Sequence, residues 1–153
     1  MFNRSEATEQ GPAITVIMGC GRLGASIAHS LLDEGHRIFI IDIQGSNFNR
    51  LRSEPIESGA ITPLIGDGTL YADLLRTPIQ DAQVFIAVSG RDTQNALAAQ
   101  IAKHIFEVPN VICRMNDPEG QAMFMELGLN AISGIEPFTN LVVRDRKSTR
   151  LNS

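Results

Sequence analysis

The chain has 153 residues with 17 acidic and 13 basic side chains, a formal net charge of −4, and its length is that of one domain able to bury a real core. No segment approaches the roughly 18 consecutive apolar residues of a membrane span, and the polar head, Met1 to Pro12, has no apolar centre of the signal-peptide kind and is predicted to be a disordered lead-in. Cys20 and Cys113 have no companion Cys or His at metal-ligand spacing, which supports neither a disulfide framework nor a zinc site and makes a reducing cytoplasm the default compartment.

The first predicted element is a strand, Thr15-Val16-Ile17-Met18, that breaks into Gly19-Cys20-Gly21-Arg22-Leu23-Gly24 and continues as a helix. In that context each glycine has a steric task. Gly19 permits the tight turn, Gly21 lets the backbone approach a pyrophosphate, and Gly24 lets the helix pack closely on the strands. The helix opening near Arg22 directs unpaired N–H groups and the positive end of its dipole at that pyrophosphate. His36 to Asp42 reads as a second strand, and its terminal carboxylate lies about 20 residues beyond the fingerprint, where a ribose diol is bound. Asp42, with Ile43 beside it, is expected to accept from both ribose hydroxyls. A carboxylate there repels a 2′-phosphate, so NAD(H) is favoured over NADP(H).

Gly45 to Leu51 suggests a short helix and Ala60 to Ile65 a third strand, whose Pro63 lacks a ladder donor and so favours a sheet edge. Leu70 to Leu75 predicts a short helix ended by Thr77-Pro78. Gln83 to Val88 is a fourth strand, apolar almost throughout, as a parallel strand covered on both faces should be. Asp92 through Phe106 carries Leu97, Ile101 and Ile105 at helical spacing, flanked by Ala98, Ala99 and Ala102, which predicts one amphipathic helix with a close-packing alanine face. Asn110 to Arg114 is a fifth strand, Pro118 to Leu127 a helix with Pro near its first turn, and Asn130 to Ser133 a sixth strand. Strands alternating with helices at this spacing imply right-handed crossovers and one parallel sheet. The fold class is therefore α/β, a Rossmann-like doubly wound sheet with six strands in the order 3-2-1-4-5-6.

The C-terminal run, Asp145 to Ser153, loses the apolar periodicity of everything before it and looks like the translation of a sequencing-adapter oligonucleotide. On that reading the natural chain is cut near Arg144, and the domain spans residues 13–144; the alternative is a basic tail that touches nucleic acid or lipid. The tail carries a net charge of +2, so removing it takes the formal charge from −4 to −6. An acidic folded part argues against a nucleic-acid partner.

In such a sheet the loops starting at Gly19, Asp42, Gly66 and Ser89 surround one crevice at the topological switch point. Beyond the first fingerprint, Gly19 to Gly24, the candidate ligand-binding residues are Asp42, Ile43, Asp67, Gly68, Thr69, Ser89, Asp92, Asn95 and Arg114. Asp67 and Thr69 either fix the turn beside an adenine or cap the following helix. Arg22 either reaches a phosphate or is a solvated residue of the first helical turn. Asn95 hydrogen-bonds the ligand or its own backbone, with the second favoured. Arg114, at a carboxyl strand end, faces the crevice or pairs with a carboxylate. His29, His36 and His104 lie in helical or turn contexts without partners and are read as structural.

Catalysis requires a residue that polarises a substrate and trades a proton with it. Tyr71 is the only tyrosine and has no lysine at the helical spacing of a Tyr-Lys pair, and neither His36 nor His104 belongs to a recognisable His-Asp pair. A dehydrogenase also needs a substrate domain or lid, so the expected role is not enzymatic. An NAD-dependent oxidoreductase fragment remains the competing reading.

Taken in order, Gly19-Cys20-Gly21-Arg22-Leu23-Gly24, Gly35-His36, Ile41-Asp42, Gly66-Asp67-Gly68-Thr69, Asp92-Thr93-Gln94-Asn95 and Cys113-Arg114 resemble the RCK or Trk-type N-terminal regulatory domain of potassium transport systems, over roughly Ala13 to Arg144. The resemblance implies a cytoplasmic domain at the inner face of the membrane that binds NAD(H), or ATP or ADP, with Arg22 reading phosphates. It implies a homodimer or higher ring docked on a membrane-embedded potassium transporter or channel, gating ion flux without entering the bilayer. It also implies that Glu136 to Arg144 begins a final helix used in dimer contacts. A module of a cation–proton antiporter is the related alternative.

Overall fold

The computed structural model describes residues 11–132. Most of the polar head, the end of the predicted sixth strand at Ser133, the predicted final helix and the tail 145–153 lie outside the described residues. Six strands, β1 (Ile14–Met18), β2 (Arg37–Asp42), β3 (Ile61–Ile65), β4 (Val84–Ala87), β5 (Asn110–Arg114) and β6 (Asn130–Ile132), form one sheet in the order β3-β2-β1-β4-β5-β6. Every pairing is parallel. This is the predicted order, with Pro63 on edge strand β3 opposite Ile40.

Because side chains alternate along a strand, the inner strands feed two cores. Val16, Met18, Phe85, Ala87, Val111 and Cys113 point to one face, and Ile17, Ile38, Ile40, Val84, Ile86 and Ile112 to the other. The second face is covered by α1 (Arg22–Asp33), whose Ala25, Ile27, Ala28 and Leu31 are buried at helical spacing. A 3-10 segment (Gly45–Arg50) and α2 (Ser53–Ser58) lead into β3. The first face is covered by α3 (Tyr71–Leu74), α4 (Asp92–Gln100) and α5 (Pro118–Glu126) through Leu74, Ala98, Ala99 and Phe124.

Three local expectations are corrected. The helix predicted over Asp92 to Phe106 is α helical only to Gln100 and continues as a π-helical turn, Ile101–Ile105. Its inward face is Asn95, Ala98, Ala99 and Ala102, all fully buried, whereas Leu97 and Ile105 are 49% and 59% exposed. Both stripes have helical period, and the small one faces inward because the helix lies close against the sheet beside Phe85. The short α2 and a 3-10 turn at Ile79–Asp81 were not predicted; elements this short have no apolar repeat to read. Two of the histidines also have partners: buried His36 Nδ1 lies 2.7 Å from Thr15 Oγ1, and His29 Nε2 accepts from the Arg52 N–H at 3.2 Å. Burial and the nearby Arg52 charge lower the His29 pKa.

Candidate nucleotide site

The carboxyl ends of β1, β2, β3, β4 and β5 enclose a crevice of about 740 Å³, within the range of small-molecule sites. Its floor is the turn between β1 and α1. Gly19 has φ of +108°, and a Cβ there would lie 2.9 Å from Ser89 N. Gly24 meets the turn itself: a Cβ on it would lie 1.9 Å from Gly19 O. Gly21, the N-cap of α1, faces open space, and no side chain caps the helix and no carboxylate occupies its first turn. The positive end of α1 is therefore left for an anion in the crevice.

Asp42 closes the β2 side. Its Oδ2 accepts from the Cys20 N–H at 2.8 Å, and its Oδ1 accepts from the Gln44 N–H at 2.8 Å and from Asn47 Nδ2 at 3.0 Å. Asn47 Oδ1 in turn accepts from Arg50 Nη1 at 3.0 Å. A carboxylate offers about four acceptor positions, so three bonds leave Asp42 room for one ribose hydroxyl. The expected grip on both hydroxyls requires one of these bonds to break.

In the β3 loop, Asp67 Oδ1 accepts from the Thr69 N–H and from Thr69 Oγ1, and the Asp67 N–H donates to Asp73 Oδ2 at 2.8 Å. Asp67 closes its own turn. The capping alternative is not realised, because the N-cap of α3 is Leu70 and carries no side-chain cap bond. Gly68 packs on Met18, whose Cγ would lie 2.4 Å from an added Cβ.

Asn95 is fully buried. Its Oδ1 accepts from the Ser89 N–H and from Ser89 Oγ, both at 2.8 Å, and its Nδ2 donates to Ser89 O and Arg114 O, both at 3.0 Å. It bonds protein and ties the ends of β4 and β5 together. Asp92 Oδ2 accepts from the N–H groups of Asn116 and Asp117, an equivalent tie one step outward. Arg114 forms no ion pair among the described residues, and its buried Nε has no hydrogen-bond partner.

Of the predicted residues, Gly19, Gly21, Arg22, Leu23, Asp42, Ile43, Asp67, Gly68, Ser89 and Arg114 line the crevice. Cys20, Gly24, Thr69, Asp92 and Asn95 do not; their visible contacts are to the loops that shape it. Gln44, Asn47, Arg91 and Gln94 line it and were missed. Gln94 precedes Asn95 on the first turn of α4, so its neighbour was the available signal; nothing local distinguishes Asn47 or Arg91.

Cys20 and Cys113 are both free and buried. Burial, with Asp42 adding to it and Arg50 opposing, pushes the Cys20 thiol from 9.0 up to about 11. Burial and then Asp92 push Cys113 from 9.0 to about 11. Since the thiolate is the nucleophile, iodoacetamide at pH 8 is expected to label the folded chain about 100-fold more slowly than the chain in denaturant. Mass spectrometry of quenched aliquots reads the ratio, and equal rates would contradict the burial. Because the folded pKa is the higher one, this stabilising contribution is complete below pH 9 and is lost as pH rises toward 11.

The parallel sheet order, the three glycines and the carboxylate closing β2 define a Rossmann-type α/β domain. The family model described as the TrkA-N domain matches residues 15–134, and the chain belongs to that family. The Trk system potassium uptake protein TrkA of Streptomyces coelicolor is 35% identical over 120 residues, covering 78% of this chain and 52% of that protein. The Trk system potassium uptake protein TrkA homolog of Pyrococcus abyssi is 37% identical over 114 residues, covering 73% and 48%. The chain thus spans about half the length of the curated relatives it matches. Among solved structures, the Shewanella denitrificans Kef CTD in AMP-bound form aligns with a TM-score of 0.67 at 16% identity, covering 89% of this chain and 81% of that one. The GsuK channel bound to NAD aligns with a TM-score of 0.63 at 14% identity, covering 79% and 21%. At these identities the likeness is one of fold.

Proposed function

We propose that the chain is the nucleotide-sensing domain of a regulatory subunit of a potassium uptake system, binding NAD(H) or an adenine nucleotide such as ATP or ADP. The observation that carries this reading is the crevice itself, lined both by the uncapped amino end of α1, which suits a phosphate, and by Asp42, which suits a ribose. The TrkA relatives support the transport context, and the AMP and NAD in the two fold neighbours support the ligand class. A sensing role is favoured over hydride transfer because no His, Tyr, Lys or Cys is among the crevice-lining residues. Tyr71 stacks on Phe106 instead, with ring centroids 5.0 Å apart. Among the described residues no helix is long and apolar enough to cross a membrane. In this reading the domain acts on a membrane-embedded potassium transporter or channel from the cytoplasmic side. Paired copies of the domain change their relative orientation on binding, by as much as the ligand's affinity differs between the two arrangements.

Calorimetric titration of the chain with NADH, NAD, ATP, ADP and AMP tests the reading. At least one is expected to bind, and Asp42→Asn is expected to weaken that ligand about tenfold or more by removing a charge-assisted bond to the ribose. No binding by any of the five would overturn it.

A further inference from the structure

The three donors that hold Asp42 are not equivalent. The Cys20 N–H on Oδ2 and the Gln44 N–H on Oδ1, both at 2.8 Å, are main-chain groups, fixed by the turn between β1 and α1 and by the chain leaving β2. The third, Asn47 Nδ2 at 3.0 Å on Oδ1, belongs to a side chain. Asn47 is half-buried, stands on the 3-10 segment Gly45–Arg50 and lines the crevice. Its amide has one workable orientation, because Nδ2 must face the carboxylate while Oδ1 accepts from Arg50 Nη1 at 3.0 Å. Its main-chain carbonyl accepts from Cys20 Sγ at 3.4 Å, so side chain and main chain alike are tied.

A carboxylate oxygen accepts about two hydrogen bonds. Oδ1, with Gln44 and Asn47 on it, is full, whereas Oδ2, with Cys20 on it, keeps one position. Since the main-chain donors stay where the turns put them, Asn47 decides whether Oδ1 is open to a ligand. The Arg50 guanidinium polarises the amide and strengthens Nδ2 as a donor toward the carboxylate. A second hydroxyl on Oδ1 would exchange that bond for one of the same kind and leave both Nδ2 and Arg50 to find new partners. From this we infer that Asn47 is a specificity-determining residue: it stays on Asp42 when a nucleotide binds, confines the sugar to one hydroxyl on Oδ2, and lets the site tolerate loss of the other. The inference rests on the proposed nucleotide site and sets which part of the sugar that site recognises.

Calorimetric titrations with ADP, 2′-deoxy-ADP and 3′-deoxy-ADP at one pH and ionic strength test it. On the wild-type chain one deoxy analogue is expected to bind about fivefold or more weaker than ADP, and the other within about twofold of ADP. Asn47→Ala opens Oδ1 to the second hydroxyl, so both analogues should then bind about fivefold or more weaker than ADP. Arg50→Ala keeps the amide but releases its oxygen, and should shift the tolerated analogue in the same direction by a smaller factor. A merely structural role for Asn47 would weaken all three ligands in proportion and leave their ratios unchanged. Arg50 is exposed, so its replacement keeps the test sound even where Asn47→Ala folds poorly, which a thermal melt reads. The inference is overturned, and the nucleotide site kept, if both analogues bind the wild type weakly, if neither does, or if Asn47→Ala leaves the ratios as they are. If ADP does not bind, the inference falls, and if none of NADH, NAD, ATP, ADP and AMP binds, the nucleotide site falls with it.

Discussion

Gly24→Ala is expected to cost more than about 3 kcal/mol of folding stability, enough to leave much of the chain unfolded at room temperature. The added methyl would stand 1.9 Å from Gly19 O and 2.9 Å from Gly19 C, both main-chain atoms, so no rotamer change relieves it. Gly19 cannot retreat. Its N–H donates to Ile41 O at 2.9 Å, and its other side abuts Ser89 N and the Val88 carbonyl. The helix cannot retreat either without withdrawing Ile27 and Leu31, both fully buried, from the sheet. Urea denaturation followed by circular dichroism measures the loss, and a loss under about 1 kcal/mol would mean that the turn yields. Gly21→Ala is the counter-case in the same experiment. Its φ of −78° suits any residue and nothing lies within 4 Å of the added methyl, so stability should change by no more than the N-cap preference, about 1 kcal/mol. The methyl projects where a pyrophosphate would approach, so nucleotide affinity should fall while the fold persists.

The contrast between these glycines also marks what a linear sequence can carry. The fingerprint is local, and its strand–turn–helix context can be read without knowing any other part of the fold. The strand order follows from equally local facts: near-continuous apolar runs, alternating with helices, bounded by glycine and proline. The fifth strand was expected at Asn110 to Arg114 and lies there, and β1 to β4 differ from their expected bounds by a residue at one or both ends. The Leu97–Ile105 segment was legible in part: its alanine face was expected to pack closely and Ala98, Ala99 and Ala102 are fully buried, whereas the exposure of Leu97 and Ile105 was not legible, because the two stripes share one period. The same limit applies at the site. Asp42 was visible as a carboxylate ending a strand, but Asn47 holding it, and Arg91 opposite, depend on how loops fold over one another. The reach of Asn95 to Arg114, 19 residues away, is of the same kind.

That reach makes Asn95 the second position of large effect. Asn95→Ala is expected to cost about 3 kcal/mol or more, because truncating this fully buried side chain leaves the Ser89 N–H, Ser89 O and Arg114 O without their bonds. A methyl group replaces none of these bonds. Asn95→Asp sharpens the argument. It keeps the shape and the acceptor for Ser89, but turns the Nδ2 donor into a second oxygen facing two carbonyls, so the introduced carboxylate is buried, unpaired and held above its ordinary pKa. Because the folded-state value is the raised one, this variant should gain stability relative to wild type as pH falls, whereas the deficit of Asn95→Ala should stay flat. Urea denaturation of the three proteins at pH 7 and pH 5 separates the outcomes. A flat difference for Asn95→Asp would mean that water or a cation reaches Asn95, and that the ends of β4 and β5, with Ser89 and Arg114 on them, are held by something other than this amide.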